Sequence, residues 1–313
     1  MELSFIFSFR NEEESIPELV RRVGVVCQEL RIESYELIFV NDFSTDNSEI
    51  VLTELQKSHP ITIINMTRNF GTAPCVLAGL DHSAGDAVVY MDSDLQDPPE
   101  VVAQMIAEFR SGADVVHAKR RTRSGESRVK LAVTKIAYKI INLLSDIPIP
   151  ENTGDFKLLS RAVVDDIMKM SEDDPFMRGL SVWVGYDQRI IGYDRHPRNY
   201  GATKFPIFSR NPVREFIRGI TSFSAGPLYF ALVLGLIISL GAILLIAYAV
   251  LTKFLGVAVP GVSGIIIVIA IFNGAILVSN GIIGIYVAKI FFQVKQRPRY
   301  LIRNIKKPFS DKA

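Results

Sequence analysis

Ala87-Val88-Val89-Tyr90-Met91-Asp92-Ser93-Asp94-Leu95-Gln96-Asp97 is the stretch on which the fold turns. An apolar run of strand length ends abruptly in carboxylates, and Asp92 and Asp94 are separated by one residue. Two carboxylates so spaced at a strand end can converge on one hard cation that takes oxygen ligands. Where such a cation also holds a diphosphate, it neutralises the leaving group of a nucleotide-activated donor. An acidic turn by itself is usually just solvated, so the meaning of the triplet depends on its surroundings.

Those surroundings alternate. Leu3–Phe9, Tyr35–Val40, Ile61–Met66, Ala87–Met91 and Ala113–Ala118 read as buried strands of a parallel sheet. Ile16–Leu30, Ser48–Ser58, Thr72–Ser83 and Pro99–Ser111 read as the helices between them, with Pro17 and Pro98-Pro99 suited to first turns. This βαβ order predicts a doubly wound α/β domain, in which ligands bind beyond the carboxyl ends of the strands. Polar clusters fall at those ends: Arg10-Asn11-Glu12, Asn41 to Asp46, Arg68-Asn69-Phe70-Gly71 and Asp92-Ser93-Asp94. Four clusters on one rim are much harder to dismiss than one acidic turn.

Past Ala118 the pattern changes. Lys119 to Arg128 reads as a basic, Gly-containing loop that leads into an amphipathic helix, with Val129, Val133, Ile136, Ile140 and Leu144 on one face. Such a helix either lies on anionic headgroups or packs on the domain. Asn211–Ser224 reads as a second amphipathic helix before Gly226-Pro227.

The chain has 313 residues and a net charge of +2, and no nucleic-acid partner is expected. Its mean hydropathy of +0.25 is high for a soluble enzyme, with the apolar excess gathered at one end. Tyr229–Leu251 and Val262–Ala288 contain no charged residue. Each makes roughly 35–40 Å of helix, enough to span a bilayer. The other reading, two buried core helices, needs a domain large enough to surround them. Arg210, Arg214 and Arg218 precede the first span, and Lys289, Lys295, Arg297, Arg299, Arg303, Lys306 and Lys307 follow the second, while the link Thr252–Gly261 holds only Lys253. The positive-inside rule then puts both ends in the cytoplasm, and Met1–Phe5 lacks the features of a cleaved leader. The expected organisation is a catalytic domain over 1–210, a juxtamembrane helix over 211–228, a transmembrane hairpin over 229–288 and a basic tail over 289–313. Cys27 and Cys75 have no metal-type partner nearby and read as reduced filler. Ala231/Gly235 and Ala270/Gly274 are small-residue pairs that permit close helix packing.

Taken together, the motifs resemble the polyprenyl-phosphate glycosyltransferases, a membrane branch of the family 2 glycosyltransferases. The likeness is nearest to bacterial bactoprenol glucosyltransferases and more distant to dolichol-phosphate mannose synthase. The segments that carry it are Asn11-Glu12-Glu13-Glu14, Asn41-Asp42 with Ser44-Thr45-Asp46, Arg68 to Gly71, Asp92 to Pro98, Thr153-Gly154-Asp155-Phe156-Lys157-Leu158, Gly219 to Ser224 and Arg297-Pro298-Arg299-Tyr300. The resemblance implies a GT-A-type, mostly parallel sheet flanked by helices, followed by the two-helix hairpin. It implies a multi-pass protein of the inner or plasma membrane, assembled as a homo-oligomer, a tetramer in that family.

Residue roles follow from the same resemblance. Glu12 and Asp42 would contact the uracil and ribose of a UDP-sugar, with Ser8, Arg10 and Val40 also on the donor side. Asp92, Ser93 and Asp94 would lie along the diphosphate, Asp92 and Asp94 holding Mg2+ or Mn2+, with Gln96 near the sugar. Asp155 and Asp94 would stand at the reacting centre. Arg120, Arg128, Arg198 and Lys204 would hold the phosphate of a polyprenyl acceptor such as undecaprenyl phosphate. Ser8 and Arg10 stand where many members have Pro and Tyr, Phe43 replaces a common Gly, and Thr72 replaces a common Lys.

A phosphate monoester is largely dianionic at neutral pH and needs no strong base to attack. Asp155 is thus open to three roles: taking a residual proton, positioning the acceptor, or pairing within the turn at Gly154. His196 and Trp183 read as structural. The leading expectation is inverting transfer of one hexose, glucose from UDP-glucose, to undecaprenyl phosphate. GDP-mannose or an aminoarabinose nucleotide as donor, and a non-catalytic membrane scaffold, are the alternatives. A processive synthase is disfavoured by the lack of a Gln-x-x-Arg-Trp signature.

Overall fold

The computed structural model describes residues 2–122, 128–145, 147–195, 210–256 and 261–308. Its first half follows the alternation in the sequence. Strands β1 (Leu3–Phe9), β2 (Tyr35–Asn41), β3 (Ile61–Met66) and β4 (Ala87–Asp92) alternate with helices α1 (Ile16–Glu29), α2 (Ser48–Leu55) and α3 (Thr72–Asp81). Parallel strands covered on both faces have no solvent side, so they read as unbroken apolar runs. Phe5, Phe7, Phe39, Ile63 and Val89 are all fully buried. Close packing of α3 on β1 requires Gly79, where a Cβ would clash with Ile6 Cγ2. In register, Ser8 of β1 faces Val40 of β2 on one side and Asp92 of β4 on the other.

Beyond β4, a short 3-10 turn at Pro99–Val101 opens α4 (Val102–Arg110). Next come β5 (Val115–Thr122), α5 (Arg128–Leu144), β6 (Thr153–Ser160), α6 (Arg161–Lys169), α7 (Met177–Trp183) and β7 (Gln188–Asp194). The last elements are α8 (Arg210–Ser222), α9 (Gly226–Phe254), α10 (Val262–Val294) and β8 (Ile302–Lys306). One sheet holds all the strands, in the order β7-β5-β6-β4-β1-β2-β3-β8. It is of the mostly parallel GT-A type. β6 runs antiparallel to both β4 and β5, and β8 antiparallel to β3, while β7 is parallel to β5.

Two expectations change. The basic segment after Ala118 is not all loop, because β5 keeps pairing with β7 as far as Thr122, with Arg120 opposite Tyr193. The basic tail contains a strand, because alternate residues of Ile302–Lys306 complete the hydrogen bonding of the β3 edge, which would otherwise stand open.

The chain divides into two compact units, one of Met1–Asn142, Ile147–Gly219 and Pro298–Ala313, the other of Leu143–Asp146 and Ile220–Arg297. In the second, α9 and α10 contain stretches, Gly226–Thr252 and Ile271–Val294, long and apolar enough to cross a membrane. Large apolar side chains such as Leu236, Leu244, Leu277 and Ile290 point outward from them. That many exposed apolar groups suit lipid rather than water. Within the same unit the Tyr286 hydroxyl donates to the Ser224 carbonyl at 2.7 Å.

Candidate active site

The strand ends of β1, β2 and β4 set the floor of the site. Asp92 closes β4, and Ser93 is buried with its hydroxyl donating to the Ser8 carbonyl at 3.3 Å. The chain then turns sharply, with Leu95 at φ 57°, so that the Gln96 amide donates back to Asp94 Oδ1 at 3.2 Å. Both Asp92 and Asp94 remain partly exposed at this turn.

β6 brings a third carboxylate to the same place. Lys157 lies opposite Tyr90 of β4, so Asp155, two residues earlier on the same face, stands beside the end of β4. Arg178, in the first turn of α7, grips Asp155 with both ends of its fork, Nε to Oδ1 at 3.1 Å and Nη2 to Oδ2 at 2.9 Å. Burial pushes the Asp155 carboxyl upward, but Arg178, Lys157 and Arg120 outweigh it and hold it at about 2. Asp92 has no such partner. Burial, then Asp94, Asp155 and Asp97, push it up to about 7, with Arg120 opposing.

That surplus of negative charge is the test of whether a cation fits. Among the described residues no cluster of three or more His, Cys, Asp or Glu is set to hold an ion alone. Two hard oxygen donors with unneutralised charge do suit a divalent ion whose remaining ligands come from a diphosphate.

Asp97 is the hub beneath. Only 1% exposed, it accepts from the Tyr193 hydroxyl, from Arg195 Nε at 3.2 Å and from Arg120 Nη2 at 3.4 Å. Arg120 Nε also donates to the Tyr193 hydroxyl at 3.1 Å, and its guanidinium lies against Gly154, where a Cβ would meet Nη2 at 2.7 Å. Arg120 is therefore a largely enclosed strand residue, tied to Asp97, rather than the free loop side chain the sequence suggested. Lys157 is fully buried and donates to the Ser181 hydroxyl and the Arg178 carbonyl.

Just past β2, Asp42 is 7% exposed. Its carboxylate accepts from Asn69 Nδ2 at 2.6 Å and from the Phe70 and Gly71 amides at 2.6 and 3.0 Å. It locks the loop after β2 to the loop after β3. Glu12 caps the turn into α1, accepting from Ser15 Oγ at 3.2 Å, while Arg10 is exposed just past β1.

The structure thus brings together Ser8, Val40, Asp92, Ser93, Asp94, Gln96, Arg120 and Asp155, with Arg10, Glu12 and Asp42 on the adjoining loops. Arg128 opens α5, but its side chain lies outside the described residues, as do Arg198 and Lys204 entirely. Arg178 escaped sequence reasoning because an Arg in a short helix carries no motif of its own; the isolated Asp155 was the only hint that a partner was needed. Trp183 is exposed at the end of α7. Both cysteines are buried, and burial pushes the Cys27 thiol up to about 12, which suits filler.

A sheet of this order with carboxylates at the end of β4 is that of a GT-A glycosyltransferase. Residues 4–168 match Glycosyl transferase family 2, and the chain belongs to that family. An uncharacterized glycosyltransferase of Synechocystis sp. is 40% identical over 97% of this chain and 96% of its own. The prophage bactoprenol glucosyl transferase homolog of Escherichia coli K12 is 38% identical over 98% of this chain and 100% of its own. Among solved structures, glucosyl-3-phosphoglycerate synthase from Mycobacterium tuberculosis, in complex with Mn2+, UDP and phosphoglyceric acid, is 20% identical. It covers 72% of this chain and 80% of that one at a TM-score of 0.48.

Proposed function

We propose that this glycosyltransferase moves a single hexose, glucose from UDP-glucose, onto undecaprenyl phosphate at the cytosolic face of the membrane, with inversion at the sugar. The observation that carries the reading is the meeting, at one strand-end rim, of the unpaired carboxylates Asp92 and Asp94 with the Asp155–Arg178 pair. Full-length similarity to a bactoprenol glucosyl transferase homolog supports the choice of acceptor.

Asp92 and Asp94 would hold Mg2+ or Mn2+, which when bound supplies charge neutralisation of the departing diphosphate. The acceptor phosphate is its own nucleophile, so the protein's task is to bring two anions together in line. A carboxyl held near 2 is a poor base at neutral pH, so Asp155 serves by fixing the Arg178 fork. Arg178, with Arg128, Arg198 and Lys204, would then meet the acceptor phosphate, and Arg120 would hold the floor through Asp97.

Chain topology supports the cytosolic side. β8 follows α10 yet belongs to the catalytic sheet, so a chain that crosses a bilayer with α9 must come back with α10. The basic flanks of both helices favour the cytoplasm for that side. Incubation of the full chain with radiolabelled UDP-glucose, GDP-mannose or an aminoarabinose nucleotide and undecaprenyl phosphate, followed by lipid extraction, tests the reading. Label should enter the lipid from UDP-glucose. Label from another donor alone replaces the sugar, and no label from any donor refutes the activity.

A further inference from the structure

Strand β8 does more than close an edge. Its Asn304 stands opposite Asn65 of β3, and three side-chain amides run in file across the strands. The Ser44 backbone amide donates to Asn41 Oδ1 at 2.8 Å, Asn41 Nδ2 to Asn65 Oδ1 at 2.9 Å, and Asn65 Nδ2 to Asn304 Oδ1 at 2.8 Å. Asn41 and Asn65 are each 5% exposed. Asn65 Nδ2 also reaches Glu49 at 3.0 Å, and Glu49 pairs with Lys306 of the same strand at 2.7 Å. All bonds in the file point from the loop after β2 toward the tail, so removing the acceptor at Asn304 loosens every member behind it.

At the loop end of the file stands Phe43. It has a positive φ of 63° and is 40% exposed, with the guanidinium of Arg303 lying 5.3 Å from its ring centroid. A bulky side chain in the left-handed region is strained, and such strain persists only where the surroundings over-determine it. Here the surroundings are the Asn41 file on one side and the Asp42 lock on the other. An aromatic ring kept out on the rim against that strain is suited to stack on a planar group.

We infer that Phe43 is a stacking platform for the base of the nucleoside diphosphate donor, and that Arg303 and Asn304 of β8 are positioning residues that hold its loop. The inference rests on reading the strand-end rim as a nucleotide site. Its test uses the full-length protein, with UDP titrated calorimetrically, inorganic diphosphate as a competitor without a base, and kinetics on UDP-glucose. Phe43→Ala should weaken UDP roughly five- to a hundredfold, while Phe43→Tyr stays near wild type. Asn304→Leu should raise the KM for UDP-glucose about two- to tenfold with kcat little changed, and Asn304→Asp, which keeps the acceptor oxygen, should restore it. Inorganic diphosphate should compete equally well in all variants.

Unchanged UDP binding in Phe43→Ala overturns the platform. Unchanged KM in Asn304→Leu, or a fall in kcat that Asn304→Asp does not restore, overturns the positioning role. Loss of diphosphate competition along with UDP marks general damage and overturns both. If wild-type protein competes for inorganic diphosphate but gains nothing from UDP over it, the nucleotide reading of the rim itself fails, and the inference with it.

Discussion

The two halves of the sheet obey different rules. From β1 to β4 and out to β3, buried positions are apolar on both faces, and the polar groups wait at the strand ends. In β5, β6 and β7 the polar groups run through the interior: Lys157 is fully buried opposite both Tyr90 and His117, which are fully buried too. Burial, then the nearby Lys157, lowers His117 to about 4; burial lowers Lys157 to about 7 although Asp155 pulls it up. The first half is a frame held chiefly by apolar burial, its charged groups standing at the strand ends. The second handles charge for the site, and its stability depends on which protons it carries.

The largest expected effect comes where the halves meet. Asp94→Asn should leave the fold intact but lower turnover on the order of a hundredfold or more, because a neutral amide is a poorer ligand for a hard cation. Circular dichroism and the lipid-extraction assay check both parts; full turnover in excess EDTA would break the metal reading. Next comes Arg178→Ala, which leaves Asp155 without its fork. Activity should fall roughly ten- to a hundredfold, and Arg178→Lys should recover only part, since a point charge cannot replace a bidentate grip. If Asp155→Asn combined with Arg178→Ala is far worse than either alone, the two act separately and the pairing is wrong.

Stability separates the halves more finely. Gly79→Ala forces a methyl group against Ile6 in the apolar half. It should cost about 1–3 kcal/mol in denaturant unfolding, by the same amount at pH 6.5 and at pH 5. His117 should behave otherwise. Its folded pKa of about 4 lies below the ordinary 6.5, so the unfolded chain binds the proton more tightly throughout that window. Its contribution is complete above pH 6.5 and is lost as pH falls toward 4, by about 2 kcal/mol between pH 6.5 and 5. Lys157 on β6 faces it, and Gln188 on β7 bonds its Nε2 at 2.9 Å. His117→Gln should flatten this part of the acid sensitivity relative to wild type, and a slope identical to wild type would erase the distinction between the halves.

The same distinction explains what could be read in advance. Leu3–Phe9 and Ile61–Met66 are strands over the very residues the apolar runs marked, because a strand covered on both faces writes its burial directly into composition. β6 and β7 were missed for the opposite reason. Asp155 and Lys157 break the run in β6, where partners distant in sequence offset their burial, and β7 lies at the sheet edge, where Arg189 and Ile190 stay partly in solvent. β8 hid in a basic tail because an edge strand needs little burial, and none of its five residues is fully buried. In α5 the apolar stripe was seen but its buried centre was not: Ile141 is 6% exposed, while Ile140 and Leu143 face outward.

By itself the sequence determined the βαβ frame, the rim on which Asp92 and Asp94 sit, and the two apolar helices. These are written locally, in the periodicity and length of apolar runs, because each depends on burial alone. Only the tertiary structure decided that Asp155 is gripped by Arg178, that Arg120 belongs to Asp97, and that the tail returns to bond Asn65 and, through it, the loop after β2. Those facts are pairings between charges and amides far apart in the chain. A side chain's polarity announces that it needs a partner, and the fold alone chooses which one it meets.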